Sequence, residues 1–157
     1  EQTKEPYLIP VDVSGTNIEY GIKLAHVYQK LTEFPSKQVT ILLDACFTGG
    51  ARNQGLIAMK GVRVKPKENA VNGNVVVFSS SSGDESSAIY KEKQHGYFTY
   101  FLLKKLQETN GDVNYDELGN YIIQNVSKEA DLNSKLQTPQ INASYQIGED
   151  WKTWKLK

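Results

Sequence analysis

The stretch VTILLDACFTGG, residues 39–50, decides the fold. Val39, Thr40 and Ile41 are β-branched, Leu42 and Leu43 continue the run, and it shows no regular polar–apolar alternation. A run of this kind suits a strand buried on both faces, as in a parallel sheet. NVVVFS at residues 74–79 has the same character and predicts a second such strand. Strand-like and helix-like runs alternate along the rest of the chain, which is the pattern of a layered α/β domain. With 157 residues the chain can bury a substantial core, and residues 1–157 are expected to form one domain.

Towards the N-terminus, YLIPVD (residues 7–12) reads as a strand or hairpin arm ended by Pro10 and Asp12. Ile18, Ile22, Ala25 and Leu31 recur at roughly helical spacing, which predicts a helix from an Asn17 N-cap to Glu33, ending near Phe34 and Pro35. Towards the C-terminus, residues 51–73 carry Arg52, Lys60, Arg63, Lys65 and Lys67 against Glu68 alone and lack a clear helical period. They form either a functional loop or a solvated crossover with a short helix. After SSSSGDESS (79–87), Phe98, Phe101, Leu102 and Leu106 define the apolar face of a helix opened by Gly96. Asn114 with Glu117 resembles a capping box for a further helix that buries Leu118, Ile122 and Val126. QTPQINAS (137–144) supplies a final strand, and Trp151 and Trp154 are expected to cover a hydrophobic surface.

Eighteen basic residues balance eighteen acidic ones, so no net field favours nucleic acid or an anionic membrane. No window approaches the roughly 18 consecutive apolar residues of a membrane span. One cysteine cannot form an internal disulfide, and EQTKEP lacks a signal-peptide pattern, so a reducing, cytoplasmic setting is expected. The chain has no initiator Met, and its true N-terminus is expected upstream.

A lone cysteine is often a small core residue. Cys46, however, follows a predicted strand, and reactive groups in open α/β sheets gather outside the carboxyl ends of strands. Gly49 and Gly50 permit a sharp turn and a close backbone approach. A thiol of ordinary pKa, about 8.5, also needs a base. The two histidines are His26, within the first predicted helix, and His95, just before Gly96.

DACFTGG after a buried strand, then NVVVFSSSSGDESS, then HGYFTYFLLKKL, resemble in this order the catalytic domain of the caspase and metacaspase superfamily of cysteine peptidases (peptidase C14 type), its bacterial caspase-like members above all. PYLIPVD upstream and DVNYDELGNYI with TPQI downstream extend the resemblance over nearly the whole chain. It implies a caspase-like three-layer sandwich, a mostly parallel sheet flanked by helices, whose first strands lie outside this chain. It also implies a Cys–His dyad. In caspases the histidine precedes the cysteine by about 50 residues, which counted back from Cys46 falls before Glu1. Neither His26 nor His95 therefore inherits that role, and the chain by itself is expected to be inactive and to expose an unpaired strand edge.

The resemblance further implies that Cys46 is the nucleophile and that its backbone N–H contributes to the oxyanion hole. Asp44 stands where caspases carry glutamine. In metacaspases the matching aspartate lines the first specificity pocket and pairs with Lys or Arg, since a carboxylate attracts a cation and repels an acidic rival. The structural alternative for Asp44 is a carboxylate accepting hydrogen bonds at a strand end. Phe47 replaces the arginine of the caspase signature and also argues against cleavage after Asp. Ser80, Ser82 and Asp84 either border the substrate cleft or form a plain exposed loop. The basic loop offers sites for self-cleavage. The expected partners are a polypeptide with Lys or Arg at the cleavage position and the N-terminal segment of the same protein. No metal or organic cofactor is expected. The rival to an endopeptidase is a catalytically inactive caspase-like interaction module.

Overall fold

The computed structural model describes residues 6–10, 12, 18–45, 71–82 and 85–157. A short ribbon comes first: β1 (Tyr7–Leu8) pairs antiparallel with β2 (Ile22–Lys23), and α1 (Leu24–Leu31) follows at once. The helix expected from Asn17 is thus shorter and begins later. Lys23 pairs with Tyr7 and Ile22 with Leu8, so this backbone is committed to a ladder, while Ile18–Tyr20 forms a single 3₁₀ turn. The Ile18–Ile22 spacing belongs to a ribbon and a turn, and Asn17 lies outside the described residues.

β3 (Val39–Leu43) and β4 (Val75–Ser79) run parallel, and β7 (Gln140–Ala143) joins the far side of β4 antiparallel. Between them in sequence lie β5 (Ile89–Tyr90), its antiparallel partner β6 (His95–Gly96), α2 (Tyr97–Thr109) and α3 (Tyr115–Leu132). The sheet order is β3-β4-β7, so β4 is central and its first four residues are buried. β3 has a strand neighbour on one side only among the described residues, and Leu42 remains exposed. Continuous apolar character therefore marks full burial for β4 and only partial burial for β3.

The alternation of side chains along β4 divides the core in two. Val75 and Val77 join Ile41 and Val71 on one face, where Tyr28 of α1 packs with Val39 and Leu43. Burial there pushes the Tyr28 hydroxyl up to about 12. Val76 and Phe78 face α2 and α3 through Phe98, Phe101, Leu102, Leu118, Ile122 and Val126. The result is an α/β sandwich of three layers: α1, the sheet, and the α2–α3 pair. Gly119 lets α3 approach the sheet, since a Cβ there would overlap Ile141 Cδ1 and lie 3.2 Å from its Cγ1. Trp151 and Trp154 pack against the larger core, and Trp154 meets the Tyr115 ring edge-on.

Asn114 caps α3 through Oδ1, which accepts from Glu117 N at 2.8 Å. Only half of the box forms, because the Glu117 carboxylate takes Lys105 at 2.8 Å instead. Tyr115 ties this helix to β3: its fully buried ring stacks edge-on to Phe78, and its hydroxyl meets Gln38 Nε2 at 2.6 Å and the Thr40 hydroxyl. Burial raises the tyrosine pKa and those two bonds oppose the rise. Tyr115→Phe keeps the packing and removes both bonds, so it is expected to destabilise the protein by about 1–2 kcal/mol in urea unfolding.

Candidate functional site

The carboxyl ends of β3 and β4 lie side by side, where open α/β sheets place their chemistry. Ser80 N donates to Leu43 O at 2.8 Å, extending the parallel ladder by one rung beyond β4 and fixing where Asp44 and Ala45 leave the sheet. Cys46, the expected nucleophile, lies outside the described residues, as do Asp84 and the basic stretch from residue 51 to residue 70.

Asp44 is half-buried and reaches the first turn of α2. Thr99 Oγ1 donates to its Oδ2 at 2.6 Å. Gly96, the N-cap residue of α2, has no side chain with which to cap the helix. The Asp44 carboxylate therefore brings negative charge from another strand to a helix N-terminus, where the helix dipole favours it. This approach depends on Gly96, because a Cβ there would overlap Asp44 Oδ2 and lie 3.0 Å from both Cγ and Oδ1.

Ala45 is held by its carbonyl. Ser80 Oγ and Ser87 Oγ each lie 3.2 Å from Ala45 O and also hydrogen-bond each other. Ser80 is fully buried and faces this carbonyl rather than solvent, whereas Ser82 is half-buried. Gln137, also buried, braces the pair: Nε2 donates to Ser80 O and Oε1 accepts from Ala88 N, both at 2.8 Å. Glu85 closes the loop from the other side. Its carboxylate accepts from Thr138 N at 2.5 Å, from Thr138 Oγ1 at 3.0 Å and from Ser82 N at 3.3 Å. What reads in sequence as a polar turn is thus a loop tied to the segment that enters β7.

The two histidines are separated by the sheet's layers. His26 is exposed on α1, the helix of the smaller core. His95 is exposed on β6 with its backbone paired to Tyr90, and its neighbour Gly96 packs on Asp44. Residue 95 is thus one position along the chain from the glycine that meets Asp44. Among the described residues no group of three or more His, Cys, Asp or Glu side chains is placed to hold a metal ion. No described helix is long and apolar enough to cross a membrane.

Thr99, Ser87 and Gln137 were not singled out by sequence reasoning. The single local signal was a helix opening on glycine, which leaves N-terminal donors to be met from elsewhere. The family model of the caspase domain matches residues 1–147. No curated protein matches the chain.

Proposed function

The chain belongs to the caspase domain family, and from that premise we propose that it recognises a polypeptide bearing Lys or Arg at the carboxyl end of its central sheet. Taken by itself it acts as a caspase-like module that binds without cleaving. The observation that carries recognition is Asp44, whose carboxylate is held at the mouth of the sheet by Thr99 and backed by Gly96. The bond from Thr99 also supports a structural role for Asp44 at the start of α2.

A second reading adds cleavage. Cys46 would attack the scissile carbonyl, its backbone N–H would help to hold the oxyanion, and a histidine from a segment before Glu1 would take the thiol proton. The clamped Ala45 carbonyl favours this reading, because it fixes the chain just where it enters Cys46. Ser82 and Asp84 would border the cleft, residues 51–73 would offer sites for self-cleavage, and a reducing compartment would keep the thiol active.

Both readings are tested with fluorescent peptides carrying Arg, Lys or Glu at one position. The Cys46→Ala chain is expected to bind the Arg and Lys peptides, and Asp44→Asn to weaken binding about tenfold, or ~1.4 kcal/mol. Equal affinity for the Glu peptide would remove Asp44 as the selector. Turnover by the unaltered chain that Cys46→Ala abolishes would replace the non-cleaving reading with the peptidase and make His95 the candidate base. Turnover only after restoring the upstream segment would assign the base there.

A further inference from the structure

Asn–Gly occurs twice in the chain, at Asn72–Gly73 and Asn110–Gly111. In such a pair the glycine nitrogen, with no Cβ beside it, can attack the asparagine side-chain amide and displace ammonia. Both asparagines are exposed, so the two pairs differ in how each glycine N–H is held. Gly111 N donates to Leu106 O at 2.8 Å, a main-chain bond at the end of α2 that breaks only when the helix end opens. Gly73 N donates instead to Oε1 of Gln146, at 2.6 Å. Gln146 is an exposed side chain on the 3₁₀ turn after β7, and exposed side chains change rotamer within nanoseconds. Asn74, two residues on, is tied down: its Nδ2 donates to Ser36 O at 2.9 Å, and the β-branched Val75 follows it.

We propose that Asn72 is a deamidation site whose rate is set by Gln146, the side chain that occupies the Gly73 N–H. When Gln146 swings away, Gly73 N gives its proton to a solvent base and attacks Asn72 Cγ. A five-membered succinimide closes as the new N–Cγ bond forms and the Cγ–Nδ2 bond breaks, and the departing nitrogen takes up a proton and leaves as ammonia. Water then opens the ring at either carbonyl, giving aspartate or isoaspartate. While the bond to Oε1 stands, the Gly73 proton is engaged and the attack waits. The position of the pair gives the reaction a consequence. Val71 and Val75 flank it, buried at 7% and 0% exposure in the smaller core. Isoaspartate adds one main-chain atom between these two anchors, so the turn or the start of β4 must shift. Val75 pairs with Val39 at the start of both strands, the end of the sheet opposite Asp44, so this inference stands apart from any reading of Asp44 or Cys46.

The test is peptide mapping of the folded protein after incubation in ¹⁸O-water at mildly alkaline pH, where each ring opening leaves a label. Gln146→Leu is expected to deamidate at Asn72 about 3- to 10-fold faster than the unaltered protein, the size of one exposed hydrogen bond, with the Asn110 rate unchanged. Gln146→Glu keeps an acceptor for Gly73 N and should hold the slow rate. In denaturant all three proteins should converge on one faster rate at Asn72. Equal Asn72 rates in folded Gln146→Leu and the unaltered protein overturn the part given to Gln146, and so does a parallel rise at Asn110, which would mean general opening of the fold. No labelled product at Asn72 in folded Gln146→Leu overturns the site itself. Should leucine impair folding, Gln146→Ala removes the same acceptor without adding apolar surface. The isoaspartate fraction, separated by ion exchange, should unfold at a lower temperature than the unmodified protein, and an unshifted midpoint would remove the consequence for the smaller core.

Discussion

Gln137→Leu is expected to lower stability by roughly 2–6 kcal/mol, because it strips partners from two buried backbone groups at about 1–3 kcal/mol each. Leucine fills much the same space, so the loss is one of hydrogen bonding rather than of packing. The carbonyl left alone is that of Ser80 and the amide that of Ala88, and both flank the serines that hold Ala45. Ala88 O also accepts from Tyr97 N at 3.1 Å, so a shift at residue 88 passes to the start of α2. For a chain of this size the midpoint of thermal unfolding should fall by about 5–15 °C. Gln137→Glu is a useful companion: it retains the acceptor for Ala88 N and loses the donor to Ser80 O. A drop of less than ~1 kcal/mol for Gln137→Leu in chemical unfolding would show that water or a neighbour satisfies these groups.

Gly96→Ala is expected to damage recognition and stability together. The added methyl overlaps the Asp44 carboxylate, so either Asp44 turns away or the first turn of α2 shifts. Turning away sacrifices the Thr99 bond to a charged group, about 1.5–3 kcal/mol, and affinity for an arginine peptide should fall at least as far as in Asp44→Asn. The cause can be isolated with a second substitution. Asp44→Ala removes the group that the methyl meets, so Gly96→Ala should cost distinctly less in that background, with a coupling of about 1–3 kcal/mol between the sites. Additive losses would place the strain of the alanine elsewhere in the ribbon of β5 and β6.

The chain's own pattern specified much of the frame. β4 follows from an unbroken apolar run, α2 and α3 from residues at helical spacing, and the α3 start from Asn114, because each of these signals acts within a few residues of itself. The same local logic failed for the helix expected from Asn17. Tyr7 and Leu8 claim the backbone at Ile22 and Lys23, and a pairing partner 14 or more residues away is invisible to a count of apolar positions. β3 shows a milder form of this. Its sequence is as apolar as that of β4, but burial depends on how many strands stand beside it.

For the site, the sequence alone determined which residues deserve attention: Cys46 behind a strand, Asp44 two positions earlier, and a serine-rich turn in the family's order. Only the tertiary structure decided what Asp44 and the serines touch. Thr99 is 55 residues from Asp44, Ser87 is 42 from Ala45, and Gln137 is 57 from Ser80. These partners meet because β3 and β4 end side by side and α2 begins over those ends. A hydrogen bond requires donor and acceptor within about 3 Å, and the packing of layers, rather than proximity along the chain, brings them that close.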